Sequence, residues 1–292
     1  MTRVAARVDA VTLEGRASML VKRSIKASAK GAAIDLAIAS LDLTTLEGKD
    51  TPSTIRALCA RGIEPAPGVS SVAAICIYPA YVGEAVAALA GSGVRVASVA
   101  TAFPSGLSPL SGKLQEAREA VARGATEIDM VIDRGAFLAG RYRAVRDEIA
   151  AVKDACGPAT LKVILEAGEL GSYRAIRHAC DLALDGGADF LKTATGKIGV
   201  STTPAIALVM CEALRERARA TGACVGLKLA GGIRTTAAAL GYLALVNETL
   251  GAAWLRPERF RLGASTLLDD LLMQREKLVT GSYAGAGYVA GI

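Results

Sequence analysis

The sequence predicts an α/β chain whose eight strand–helix units close into a barrel, and three observations predict it. Short, near-continuous apolar runs alternate with helical stretches at a spacing of roughly 30 residues. Eight such alternations run between residues 37 and 279. No Gly-x-Gly-x-x-Gly follows an early strand, which removes the usual mark of an open dinucleotide-binding sheet. Continuous apolar strands suit a sheet covered on both faces, strict alternation implies parallel strands, and eight units favour closure. The expectation is a single-domain (β/α)8 TIM barrel over residues 35–280, with an N-terminal helical extension (1–34) and a flexible Gly/Ala-rich tail (281–292) containing Tyr283 and Tyr288.

The elements follow in order. A helix is predicted over 17–30, packing outside the barrel. Strands are predicted at 37–42, 72–77, 94–100, 127–132, 161–165, 188–192, 224–228 and 260–262. The first barrel helix opens at Thr51-Pro52 and runs to Arg61, because proline just inside a helix start, after threonine, is a start signal. The others are predicted at 79–90, 112–123, 145–155, 172–185, 204–220, 235–247 and 265–279.

Composition narrows the function. Over 292 residues the chain is 52% hydrophobic but only 4% aromatic, so the core is Ala, Val, Leu and Ile, and platforms for stacking nucleic-acid bases are lacking. The net charge of +6 is scattered without a Lys/Arg block, which favours a small anionic ligand over nucleic acid. Six cysteines form no CxxC pair, and there is one histidine, so neither a metal site nor any other cofactor is expected. The pattern reads as reduced and cytoplasmic. The longest apolar run, 72–83, is too short to span a bilayer and holds Pro79. A homodimer or larger homo-oligomer is compatible with this chain.

In such a barrel the active site lies at the C-terminal ends of the strands. The polar residues assigned there are Asp42 and Thr44, Cys76 and Tyr78, Thr101, Asp129, Lys162 and Glu166, Lys192, Lys228 and Arg261, in strand order. Lys192 and Lys228 fall on consecutive strands. Two unit charges about 5 Å apart, at an effective dielectric of about 20, repel by about 3 kcal/mol, which favours the neutral form of one amine. A neutral lysine attacks carbonyls and forms a Schiff base. Asp129 falls on an alternate strand, at a level from which it could relay protons; an ion pair with Lys162 or Lys228 is its structural alternative. Cys76, between Ile75 and Ile77, reads as lining rather than nucleophile, and His178 as a surface or packing residue.

A second cluster, Gly231, Gly232 and Arg234 after the seventh strand, faces Gly263, Ala264, Ser265 and Thr266 after the eighth. Glycines let backbone N–H groups approach an anion, and these loops form the phosphate site of many barrels. Lys197 could add a counter-charge.

The motifs LDLTTL (41–46), AAICIYP (73–79), EIDMVI (127–132), LKVILEAGEL (161–170), GADFLKTATGK (187–197), GLKLAGGIRT (226–235), GAAW (251–254) and FRLGAS (260–265) together resemble those of the deoxyribose-phosphate aldolases, class I aldolases. The resemblance implies reversible cleavage of 2-deoxy-D-ribose 5-phosphate to D-glyceraldehyde 3-phosphate and acetaldehyde. It implies that Lys192 is the Schiff-base lysine, Lys228 the neighbour that lowers its proton affinity, and Asp129 the proton relay. It places Lys197, Gly231, Gly232, Arg234, Gly263, Ala264, Ser265 and Thr266 at the phosphate, with Asp42, Thr44 and Cys76 lining the rest. Partners would be phosphosugar and aldehydes, with no nucleic acid and no membrane. The family's tail tyrosine has no clear counterpart, since Tyr288 stands four residues from the end. Ala102 and Leu229 depart from the family pattern and bear on pocket shape. Two rivals stay open: another Schiff-base aldolase acting on a phosphorylated ketose, and a non-catalytic phosphosugar-binding barrel.

Overall fold

The structure is a computed structural model that describes residues 8–23, 25–199 and 201–282. Eight strands, β1 (Leu41–Thr44), β2 (Ala74–Ile77), β3 (Arg95–Ala100), β4 (Glu127–Val131), β5 (Thr160–Ile164), β6 (Phe190–Lys192), β7 (Gly226–Ala230) and β8 (Phe260–Ala264), pair in parallel in chain order. β8 pairs with β1 and closes the barrel. Two helices precede it, α1 (Ala10–Val21) and α2 (Ala27–Ala39). Around it run α3 (Pro52–Ile63), α4 (Val82–Ala88), α5 (Leu110–Ala122), α6 (Arg134–Leu138), α7 (Tyr142–Cys156), α8 (Tyr173–Asp185), α9 (Pro204–Thr221), α10 (Thr236–Leu250) and α11 (Leu267–Thr280). The fold is a TIM barrel, as the strand–helix alternation predicted.

Local chemistry sets the helix starts. Thr51, Ser172, Thr203 and Thr235 each accept a backbone N–H of the first turn, and Pro52 and Pro204 sit where no N–H is needed. Outward strand residues such as Leu43, Ile75, Val163, Leu227 and Leu262 are fully buried under the helices.

Three expectations are corrected. The helix predicted over 17–30 is two helices: Asp9 caps α1 through Val11 N, and the chain breaks after Val21. α1 lies on α9 and α10, whereas α2 lies on α10 and α11, so one straight helix could not serve both. The first half of the run at 37–42, read as strand, is helix: α2 continues to Ala39 and β1 begins at Leu41, because Ala-rich sequence favours helix. α2 thus runs across residue 34, where the extension was set apart from the barrel. Third, Lys162 and Arg261 are not at the strand mouths. They are interior residues of β5 and β8, both wholly buried. A short helix that the sequence did not announce, α6, is capped by Asp133 through Ala136 N. Tyr283, Tyr288 and nearly all of the expected tail lie outside the described residues.

Candidate active site

Alternate residues of a strand point to opposite faces, so each strand that sends an apolar side chain to the helices sends its neighbour into the barrel. On one side the interior holds Ala74, Cys76, Ala97 and Val99. Elsewhere it holds Asp42, Glu127, Asp129, Lys162, Lys192, Lys228 and Arg261, none more than 2% exposed. Isolated charges at such depth would be prohibitive, so their pairing decides the site.

In the deeper part of the network each cation meets at least two carboxylates. Arg261 bridges Asp42 (Nη1–Oδ1 2.5 Å) and Glu127 (Nη2–Oε1 2.8 Å). Lys162 lies 2.6 Å from Glu127 Oε2 and 2.7 Å from Asp129 Oδ1. Burial opposes charge on Lys162, but Asp129, Glu127 and Asp42 outweigh it and raise its pKa. The upper part converges on one atom. Asp129 Oδ2 accepts hydrogen bonds from Lys192 Nζ at 2.8 Å and from Lys228 Nζ at 2.7 Å. Lys228 also lies 2.5 Å from Asp42 Oδ2.

This asymmetry separates the two lysines. For Lys228, burial disfavours charge, but two carboxylates, Asp129 and Asp42, hold its pKa well above the ordinary value. Among the described residues Lys192 pairs with Asp129 alone. Burial, assisted by the Lys228 ammonium and opposed by Asp129, pushes its pKa down. Burial rather than like-charge repulsion is thus the larger cause. Asp129, despite burial, is held well below the carboxylate range by Lys162, Lys192 and Lys228. The constellation is an amine whose pKa is lowered, an ammonium whose pKa is raised and a carboxylate whose pKa is lowered, within hydrogen-bond reach. Cys76 Sγ lies 3.9 Å from Asp129 Oδ2, and burial raises its pKa, so it lines the interior as a thiol.

Above these groups opens a pocket lined by Thr44, Lys192, Lys197, Lys228, Gly231, Gly232, Arg234, Gly263, Ala264, Ser265 and Thr266 among others. Eleven of the fourteen residues named from the sequence therefore share this wall, while Asp42, Cys76 and Asp129 lie beneath it. Gly231 and Gly232 have φ of +87° and +81°, turning the chain so that it bends around the pocket. A Cβ on Gly263 would stand 2.9 Å from Lys228 Cε, so that glycine leaves room for the lysine. Thr266 caps α11 without spending its hydroxyl on a backbone N–H, leaving it free for a ligand. Lys197 is exposed and pairs with Glu47 across the pocket (2.8 Å). The site residues named from the sequence leave out Thr45, Leu46, Glu47, Thr195, Gly196, Ala230 and Ile233, which also line the pocket; six of the seven stand in motifs already singled out. Among the described residues no cluster of His, Cys, Asp and Glu could hold a metal, and no helix is long and apolar enough to cross a membrane.

Comparison with known proteins agrees with this geometry. A family model described as DeoC/LacD family aldolase matches residues 36–270. The chain is 44% identical over 289 residues to deoxyribose-phosphate aldolase of Mus musculus, covering 94% of this chain and 91% of that one. It is 45% identical over 277 residues to deoxyribose-phosphate aldolase of Homo sapiens, covering 90% and 87%. The solved structure of deoxyribose phosphate aldolase from Aeropyrum pernix superposes with a TM-score of 0.65 at 24% identity, over 94% of this chain and all of that one, a likeness of fold.

Proposed function

The chain belongs to the DeoC/LacD aldolase family, and from that premise we propose that it is a class I aldolase that reversibly cleaves 2-deoxy-D-ribose 5-phosphate to D-glyceraldehyde 3-phosphate and acetaldehyde. The observation that carries this is Lys192 Nζ sharing Asp129 Oδ2 with Lys228 Nζ, on the floor of a pocket rimmed by glycine turns.

Lys192, neutral, adds to the aldehyde carbon of the open-chain sugar. Loss of water from the carbinolamine gives a protonated imine. The imine withdraws electrons as the bond between the second and third carbons breaks and the third carbon's hydroxyl gives up its proton. Glyceraldehyde 3-phosphate departs and an enamine of acetaldehyde remains on Lys192. Protonation and hydrolysis release acetaldehyde and restore the amine. Asp129, one hydrogen bond from the reacting nitrogen, carries protons in the carbinolamine steps. Lys228 keeps the local field positive, which favours the neutral amine. The turns at Gly231–Gly232 and Gly263–Thr266, with Arg234 and Lys197, receive the phosphate through backbone N–H groups and charge. Thr44, Asp42 and Cys76 complete the lining and floor. We place the barrel at 41–280, from β1 to the end of α11, and the reaction in the cytoplasm; the buried, unpaired Cys59, Cys76, Cys156, Cys180 and Cys211 support a reduced setting.

The test is a retro-aldol assay on 2-deoxyribose 5-phosphate, with a donor screen in the synthetic direction. Turnover with acetaldehyde and not with dihydroxyacetone phosphate supports the assignment. Preference for the ketose donor moves the enzyme to another aldolase class, and phosphosugar binding without turnover leaves only a binding protein.

A further inference from the structure

We propose that Glu166 is a positioning residue that, through Thr195, holds the loop after β6 in the shape that grips the anionic end of the substrate; the inference rests on the reading of the pocket given above. Glu166 follows β5, is wholly buried and has φ +50°, a backbone region unfavourable for a residue with a side chain. Such positions persist where surrounding contacts over-determine them, and they concentrate at functional sites.

Its contacts supply that determination. One carboxylate oxygen accepts the Thr195 N–H at 3.1 Å, and the other accepts the Thr195 hydroxyl. Arg134 Nη1 lies 3.2 Å from the same carboxylate, and Arg134 Nη2 donates to the carbonyls of Pro104 (3.2 Å) and Ser105 (2.9 Å). Two side chains therefore tie together the loops that follow β3, β4, β5 and β6. The Thr195 hydroxyl oxygen in turn accepts Lys197 N–H at 3.1 Å. Gly196, between them, backs onto the Gly231 turn: a Cβ on Gly231 would stand 3.3 Å from Gly196 Cα. Thr195, Gly196 and Lys197 all line the pocket. Among the described contacts Glu166 reaches none of Lys192, Lys228 or Asp129, so it acts on the anion grip and leaves the amine alone. A displacement of about 1 Å in a gripping group can cost about 10²-fold.

The experiment compares wild type with Glu166→Gln, which keeps the shape but has one acceptor: with its carbonyl toward the Thr195 hydroxyl and Arg134, its NH2 faces the Thr195 N–H that the second carboxylate oxygen accepts in the wild type. kcat and KM are measured on 2-deoxyribose 5-phosphate and on unphosphorylated 2-deoxyribose, and the Kd of inorganic phosphate by calorimetry. KM for the phosphorylated sugar and the phosphate Kd are expected to rise about tenfold or more, with kcat within about threefold and kcat/KM on deoxyribose little changed. Equal proportional losses on both sugars, or an unchanged phosphate Kd, overturn the proposal. Should Glu166→Gln fail to fold by near-ultraviolet circular dichroism, Arg134→Met, at a residue outside the pocket lining, removes the cation that holds the Glu166 carboxylate and carries the same predicted split. The phosphate titration reads the loop without turnover, so a wild type that cleaves no deoxyribose 5-phosphate sinks the functional reading and not this one.

Discussion

Lys192 and Lys228 are register partners on adjacent strands, and their ammonium positions meet at one oxygen, Asp129 Oδ2. Only Lys228 has a second carboxylate, Asp42 at 2.5 Å. That single difference assigns the permanent charge to Lys228 and the exchangeable proton to Lys192.

Removing the exchangeable amine removes the chemistry. Lys192→Leu is expected to lower kcat by about 10⁴-fold or more, because Lys228, the other lysine at the pocket floor among the described residues, has a raised pKa. The retro-aldol assay checks it, and substantial residual turnover would assign the nucleophile elsewhere.

The second lysine acts through the first. Without the Lys228 charge, Asp129 faces Lys192 less opposed and the Lys192 pKa rises. Attack requires the neutral amine, so the acid limb of the kcat/KM profile of Lys228→Leu moves to higher pH. A profile that drops uniformly, with no displacement of the limb, would mean that Lys228 does not tune Lys192.

The interior network fixes the pH range of stability. Asp129, Glu127 and Asp42 keep lowered pKa values because their cationic neighbours outweigh burial. Their contribution is present above about pH 4, the unfolded carboxylate value, and is lost as pH falls through the lowered folded values. Lys162 and Lys228 have raised values, so their contribution is present below about pH 10.4 and is lost as pH rises through the folded values. Lys192, whose pKa is lowered, acts in the opposite sense, so stability gains as pH rises toward about 10.4. Calorimetry should find Tm falling below about pH 4 and above about pH 10.4, with a gentle rise between. Asp129→Asn, which leaves three lysines undercompensated, should cost about 3–5 kcal/mol at neutral pH.

At the anion rim, Gly231→Ala meets both a left-handed φ and Ser201 Cβ, which the added methyl would overlap. KM for the phosphorylated sugar should rise about tenfold or more, since the turn must move. An unchanged KM would show that the glycine turn does not hold the phosphate.

The alternation of strand and helix, the two lysines and the glycine loops were legible in the sequence because each has a local signature. What was not legible depends on partners far along the chain. Arg261 looked like a mouth residue, yet it is satisfied by Asp42, 219 residues away, and by Glu127, 134 away. A continuous apolar strand does not announce which of its residues turn inward, so Lys162 was likewise placed too high. The 37–42 run failed because its alanines serve a helix as well as a strand. Glu166 was noticed at a strand end, but its left-handed backbone and its hold on Thr195 appear only in three dimensions.

The most direct measurement is reductive trapping: enzyme, acetaldehyde and borohydride, followed by peptide mass mapping. The account predicts one added ethyl group on the peptide containing Lys192, with Lys228 unmodified. An ethyl group on Lys228, or none on either lysine while the enzyme turns over, would contradict it.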